Sequence, residues 1–119
     1  MPTKEQHVER ANSTGTLALS LKLDSQSRID WALIMLFYSA MHYVEAYLSK
    51  LGVHLRSHPT RDVAMSRDAS LRKIYREYND LKYFGYNARY EFCGYKATDV
   101  TNTAMKHYDA IKTHLIPLI

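Results

Sequence analysis

The sequence predicts an all-α fold: an antiparallel bundle of four long helices plus one short helix, in a single domain over residues 1–119. The first observation is the stretch from Asp30 to Gly52, where apolar residues recur every three or four positions, as on the buried face of an α-helix. The second is that strand-like alternation occurs nowhere over a useful length. The third is that short polar connectors separate the helical stretches, which favours antiparallel neighbours.

The helix expected over residues 30–52 is the central one. Five further large side chains widen its apolar face: Trp31, Ile34, Phe37, Tyr38 and Met41. We therefore expect the first half of this helix to be covered on more than one side. Asp30 is expected to cap the helix or to lie in its first turn, and Gly52 is expected to end it in the left-handed conformation.

The first and last helices have weaker signals. Residues 3–22 are expected to form a helix with small residues on one side, which would permit a close approach to the central helix. The last helix is expected to begin near Thr98 or Asp99 and to stop at Pro117.

The short helix and the fourth long helix lie between them. Ser57 is expected to cap the short third helix, with a proline in its first turn. Asp68 or Ser70 is expected to cap the fourth helix. That helix either ends at Gly85 or continues through Tyr90, with the glycine allowing a neighbour to approach.

The composition is that of a globular protein. Of the 119 residues, 46% are hydrophobic and 24% charged, and no apolar run reaches the roughly 18 residues that a membrane span requires. Residues 1–14 contain no apolar core of a secretory signal, and a lone Cys93 cannot form an intrachain disulfide. We therefore expect a soluble cytoplasmic protein that makes no contact with a membrane.

Positive charge is concentrated in residues 56–96, which carry nine lysines and arginines against five acids. Six of the nine are arginines, and Arg56, Arg72 and Arg76 are the ones we expect on a binding surface. Because the guanidinium group grips phosphate through a planar fork, this segment favours an anionic partner such as RNA or a nucleotide. The alternative is a solvated helix face of mixed charge.

Two pairs of residues are candidates for chemistry. His58 and Arg61 stand three positions apart at a helix start, where imidazole, guanidinium and free N–H groups together would form an anion site. Arg89 and Tyr90 form the second pair, because a bundle can bring them near the first. The alternative is that His58 caps or packs locally while Arg61 pairs with Asp62 or another surface acid.

Other patterns are less informative. His42 and Glu45 have a spacing that could bind metal, but di-iron bundles need more carboxylates, so we expect no metal, no cofactor and a hydrogen-bonded His42. Several of the ten tyrosines could stack on bases instead of filling the core, namely Tyr83, Tyr86, Tyr90 and Tyr95. Phosphate-binding loops, dinucleotide-binding glycine patterns and H-E-x-x-H are absent from the sequence, which removes many common enzyme classes.

Three stretches carry a family resemblance: DWALIMLFYSAMHYVEAYL from Asp30 to Leu48, GVHLRSHPTR from Gly52 to Arg61, and YNDLKYFGYNARY from Tyr78 to Tyr90. Through them the chain resembles the HEPN superfamily of small helical bundles. The resemblance implies a bundle of four or five helices, frequent homodimers and, in many members, metal-independent RNA cleavage in toxin–antitoxin or defence systems. Those nucleases carry an arginine followed four to six residues later by histidine, and no arginine of this sequence has one there.

Three functional hypotheses follow. The first is a HEPN-like domain that binds RNA, a nucleotide or a partner protein, such as an antitoxin or a nucleotidyltransferase, through its basic surface. The second is a metal-independent ribonuclease in which His58 is the general base, Arg61 and Arg89 stabilise the transition state and Tyr90 positions the RNA. The third is a purely structural dimerisation module.

Overall fold

The structure is a computed structural model that describes residues 1–55 and 57–119, and within these ranges it contains helices and no strand. The helices are α1 (Lys4–Ser20), α2 (Gln26–Lys50), α3 (His58–Arg67), α4 (Ala69–Arg72), α5 (Tyr75–Tyr90), α6 (Ala97–Asp99) and α7 (Met105–Leu115). A π-helical segment, Val100–Ala104, joins α6 to α7, so residues 97–115 form one continuous helix that ends in a 3₁₀ turn, Ile116–Leu118. The prediction of an all-α helical bundle is confirmed.

Helix α2 lies at the centre and packs against α1, α5 and α7. The predicted apolar face is buried, including Leu33, Leu36 and Val44. The prediction for Trp31 was wrong, because its side chain is 57% exposed. Trp31 lies in a surface groove beside Phe92, so the start of α2 is covered on fewer sides than its composition suggests. None of the helices in the described ranges is both long enough and apolar enough to span a bilayer.

Local capping explains where the helices begin. Helix α2 starts one turn earlier than predicted, because the Ser25 hydroxyl accepts the backbone N–H of Arg28 at 3.2 Å. The prediction that Asp30 caps this helix or lies in its first turn was therefore wrong. Gly52 adopts φ +79°, which confirms its left-handed conformation. Ser57 caps α3 by accepting the N–H of Thr60 at 3.3 Å, as predicted.

The predicted fourth helix is divided. The Asp68 carboxylate caps α4 by accepting the N–H of Leu71 at 2.9 Å, and it also accepts the Tyr47 hydroxyl of α2 at 3.0 Å. Helix α4 then ends at Arg72, and α5 begins at Tyr75 without a side-chain cap. The single helix expected from Asp68 onward was therefore wrong, and no glycine or proline in the sequence marks the break.

Gly85 lies inside α5, which continues to Tyr90, so the second of the two predicted alternatives is confirmed. A Cβ atom at this position would lie 3.3 Å from the Cβ of Phe37 in α2. Glycine therefore allows α5 to pack closely against the central helix, and it fixes the distance between the two helices that carry the candidate site.

A buried polar junction joins α1, α2 and α7. The Ser39 hydroxyl of α2 donates to the Ala11 carbonyl at 2.7 Å and lies 2.8 Å from the Tyr108 hydroxyl of α7. Gly15 of α1 lies against the same group, where an added Cβ would stand 2.1 Å from the Tyr108 oxygen. The small residues of α1 therefore permit the close approach that the sequence predicts.

Replacing Gly15 with alanine should destabilise the fold even though alanine is the better helix former. The new methyl group overlaps the Tyr108 hydroxyl, and such overpacking costs about 1–3 kcal/mol. Urea denaturation of Gly15→Ala should show that loss. Thr16→Ala, at an exposed neighbouring position, should change the free energy of unfolding by only about 0.5 kcal/mol or less. Equal stability of wild type and Gly15→Ala would contradict the close packing of Gly15 against the Tyr108 hydroxyl.

Candidate functional site

Helix α3 is held in place largely by charged side chains, since Arg61 and Met65 are its only buried residues among those described. The Arg61 Nε donates to the Glu45 carboxylate of α2 at 2.5 Å, and both side chains are about 5% exposed. A second ion pair joins Asp62 to Lys82 of α5 at 2.6 Å. The two ion pairs therefore link α3 to both α2 and α5.

The first of these ion pairs also orients His58. An Nη1 hydrogen of Arg61 points to His58 Nδ1 across 3.0 Å, and the imidazole ring packs against Phe37 with centroids 5.7 Å apart. Arginine is always protonated and has no acceptor, so His58 Nδ1 must accept this hydrogen bond. Neutral His58 therefore carries its proton on Nε2, and that nitrogen is a hydrogen-bond donor.

The surroundings keep His58 neutral at pH 7. Partial desolvation lowers the pKa of His58 below its ordinary value. The positive charges of Arg61, Lys82 and Arg89 lower this pKa further, while Asp62 opposes them. Protonation would also place a proton on Nδ1, where the Arg61 guanidinium already donates. The His58 ring is thus a neutral hydrogen-bond donor that is surrounded by positively charged side chains.

A pocket of about 300 Å³ opens between α2, α3 and α5, and we call it the tyrosine pocket. Its aromatic lining consists of Phe37, Tyr38, Tyr83 and Tyr86. The remaining lining residues are His58, Lys82, Gly85 and Arg89. The structure therefore brings together His58 and Arg89, as the sequence-based hypothesis required, and it places four aromatic rings around them.

Arg89 is fixed at the edge of the tyrosine pocket by two hydroxyl groups. Its Nη1 donates to the Tyr38 hydroxyl at 2.5 Å, and its Nη2 donates to the Tyr90 hydroxyl at 2.8 Å. The guanidinium carbon lies 5.7 Å from the Tyr38 ring centroid and 4.9 Å from that of Tyr90. Because these partners are uncharged, Arg89 keeps its full positive charge and still has N–H groups free for an anion.

The other predicted residues lie elsewhere. Arg61 is buried behind His58, so it can orient that ring but does not line the tyrosine pocket. Arg72 and Arg76 are exposed at the opposite end of the α4–α5 region, and Arg76 precedes Arg89 by 13 positions, about 20 Å along the helix. Arg56 lies outside the described residues.

Sequence reasoning missed several members of the site. Glu45 was considered only as a metal ligand beside His42, and nothing in the sequence pairs it with Arg61 from another helix. Tyr38 was assigned to the covered side of α2, and Lys82 to the general basic surface. The spacing of Tyr38 from the start of α2 gives no sign that it reaches Arg89, which is 51 positions away.

A second polar cluster lies on the other side of Glu45. His7 and His42 share a hydrogen bond of 3.0 Å between their Nδ1 atoms, which confirms the expected hydrogen bond of His42. Burial lowers the pKa of His42 to about 4, with the charge of His7 the next cause, and burial also lowers the pKa of His7. Both rings are therefore neutral at pH 7. In the described part of the chain, no three His, Cys, Asp or Glu side chains converge as metal ligands would.

Comparison with known proteins adds no relative to this description. No family model, curated protein or solved structure matches the chain.

Removing the Glu45 charge should destabilise the protein much more than removing the Asp62 charge. Glu45→Gln leaves the buried Arg61 guanidinium without its counter-charge, which costs about 3–5 kcal/mol, whereas Asp62→Asn breaks a more solvated pair and costs about 1 kcal/mol or less. Urea denaturation of both variants measures the difference.

The double variant Glu45→Leu with Arg61→Met is the control. It removes both buried charges, so it should recover most of the stability that Glu45→Gln loses. Equal losses for Glu45→Gln and Asp62→Asn would show that the Glu45–Arg61 pair is not buried in solution.

Proposed function

We propose that this chain is a HEPN-like helical domain that binds RNA or a nucleotide through the tyrosine pocket. In this proposal α1, α2, α5 and the continuous helix of residues 97–115 are the four long antiparallel helices, and α3 is the short helix beside them. Homodimerisation and a partner such as an antitoxin or a nucleotidyltransferase stay predictions of the family resemblance. A cytoplasmic setting stays a prediction from the N-terminal composition and the lone Cys93.

The observation that carries the proposal is that one pocket offers both kinds of contact that a nucleotide needs. Aromatic rings such as Tyr83 and Tyr86, each more than half exposed, can stack on a base. Arg89 and the Nε2–H of His58 can donate to a phosphate at the same opening. Lys82 adds positive charge, although its pairing with Asp62 offsets part of it.

The geometry supports binding over cleavage. A general base must present a lone pair to the hydroxyl that it deprotonates, and the hydrogen bond from Arg61 leaves His58 with an N–H at Nε2 instead. The burial of Arg61 also keeps its guanidinium away from a phosphate in the pocket. The ribonuclease hypothesis would require the other tautomer of His58, and that tautomer would turn an N–H toward the Arg61 guanidinium.

Replacing Arg89 should weaken the binding of a short RNA. Arg89→Met removes a charge-assisted hydrogen bond worth about 1.5–3 kcal/mol, so affinity for a fluorescently labelled RNA hexanucleotide should fall about 10- to 100-fold. Fluorescence anisotropy at several salt concentrations measures this affinity. The salt dependence of binding should also be weaker for Arg89→Met than for the wild type.

Arg76→Met is the matched control, because it removes the same charge from the exposed surface of the same helix but far from the pocket. It should change the affinity for the RNA less than about twofold, because an exposed charge far from the pocket is screened by solvent and does not contact the ligand. Equal losses in the two variants would mean that binding is a diffuse charge effect. Recovery of cut RNA in EDTA from wild type, but not from His58→Ala, would favour the ribonuclease hypothesis instead.

A further inference from the structure

Arg89 borders two depressions of the surface. One is the tyrosine pocket, and the other is a groove of about 540 Å³ between the start of α2 and the end of α5. We call the second one the tryptophan groove, and the lining residues that matter here are Gln26, Asp30, Trp31, Ile34, Tyr90 and Phe92. Arg89 also lines it, so one guanidinium stands between two aromatic-lined sites.

The ridge between the two sites is ordered by contacts. Tyr38 lines the tyrosine pocket and Tyr90 lines the tryptophan groove, and Arg89 donates one hydrogen bond to each of their hydroxyl groups. The rings of Tyr86 and Tyr90 also pack together across the ridge, with centroids 5.1 Å apart. The guanidinium has five N–H hydrogens, so donors remain for a phosphate that sits on the ridge.

The tryptophan groove offers aromatic surface that the fold itself does not use. Trp31 is 57% exposed, Tyr90 is 56% exposed, and Phe92 is fully exposed. Tyr90 already packs against Arg89 and Tyr86, so the ring faces that remain for a planar ligand are those of Trp31 and Phe92. The groove therefore suits a flat, apolar-faced group with polar edges.

The polar side of the groove selects a base over a second phosphate. Gln26 Nε2 donates to the Asp30 carboxylate at 2.9 Å and to the Tyr95 carbonyl at 3.0 Å, which holds the acid at the groove wall. A carboxylate repels phosphate, but its remaining lone pairs accept the N–H groups of a base edge. Phosphate is thus favoured at Arg89 and a base beside Asp30.

We propose that the two depressions form a dinucleotide site. One base lies in the tyrosine pocket, the linking phosphate contacts Arg89, and the next base stacks on Trp31 and Phe92 in the tryptophan groove. This inference rests on the proposed function and deepens it, because it identifies the ligand as two consecutive nucleotides of a single strand. Stacking of successive bases on successive aromatic side chains is how single strands are commonly held.

Trp31 is the only tryptophan of the chain, so its fluorescence reports on the groove directly. The ligands are the 3′- and 5′-monophosphates of adenosine and the dinucleotide ApA. A monophosphate should bind in the tyrosine pocket and leave the Trp31 emission unchanged. ApA should quench that emission and bind about tenfold more tightly, the contribution expected of one additional stacked base.

Substitutions in the groove should separate the two sites. Trp31→Ala and Phe92→Ala should reduce the affinity for ApA to that for a monophosphate, without changing the monophosphate affinity itself. Trp31→Phe keeps an aromatic face and should retain most of the ApA affinity. Both positions are exposed, so the folded state should be preserved, and thermal melts of the variants check this.

Three results would overturn the inference. If the monophosphate binds but ApA binds no more tightly and does not quench Trp31, the groove takes no base, and the proposed function still stands. If neither ligand binds, the proposed function and the dinucleotide site fail together. If Trp31→Ala and Phe92→Ala convert a dimer into monomers and leave the ApA affinity unchanged, the groove is a contact between copies of the chain.

Discussion

Glu45 and Arg61 form an ion pair that is almost completely removed from water, between the central helix and a short helix with little apolar surface of its own. Each of these charges loses several kcal/mol of hydration when it is buried, so each depends on the other for compensation. Because the same guanidinium also donates to His58, the position of a surface imidazole is determined by an interaction inside the protein. The geometry of the tyrosine pocket follows from this buried contact.

The pocket is assembled outward from the core in three layers. Phe37 is buried and touches both Gly85 of α5 and the ring of His58, so it sets the spacing of the pocket floor. The ion pairs of α3 fix one wall. Arg89 and its two tyrosine partners form the outer edge, where they are at least partly exposed to solvent. The apolar ring of Phe37 therefore lies at the floor, and charged and hydroxyl groups form the wall and the edge of the pocket.

Local signals in the sequence were sufficient for much of the fold. The apolar repeat predicted the central helix, and Ser57, Asp68 and Gly52 behaved as their side chains or conformational freedom require. The errors have a common cause. Apolar periodicity does not show which helices cover Trp31. It also does not show whether Ser25 or Asp30 caps α2.

Only part of the candidate site could be predicted from the sequence. His58 and Arg61 share one helical turn, so their proximity could be predicted, whereas the partners Glu45 and Tyr38 come from a different helix and from distant positions. Arg72 and Arg76 resembled Arg89 in charge and differed from it only in location. Long-range side-chain contacts, and not residue type, decide which arginine belongs to the site.

The protonated nitrogen of His58 depends on every contact from Glu45 through Arg61, so it reports on the whole arrangement. Nitrogen-15 NMR of the imidazole groups at neutral pH distinguishes the two neutral tautomers. We predict that His58 carries its proton on Nε2 and has a hydrogen-bonded, unprotonated Nδ1. A proton on Nδ1 would mean that Arg61 does not donate to His58, and it would contradict the arrangement on which the tyrosine pocket depends.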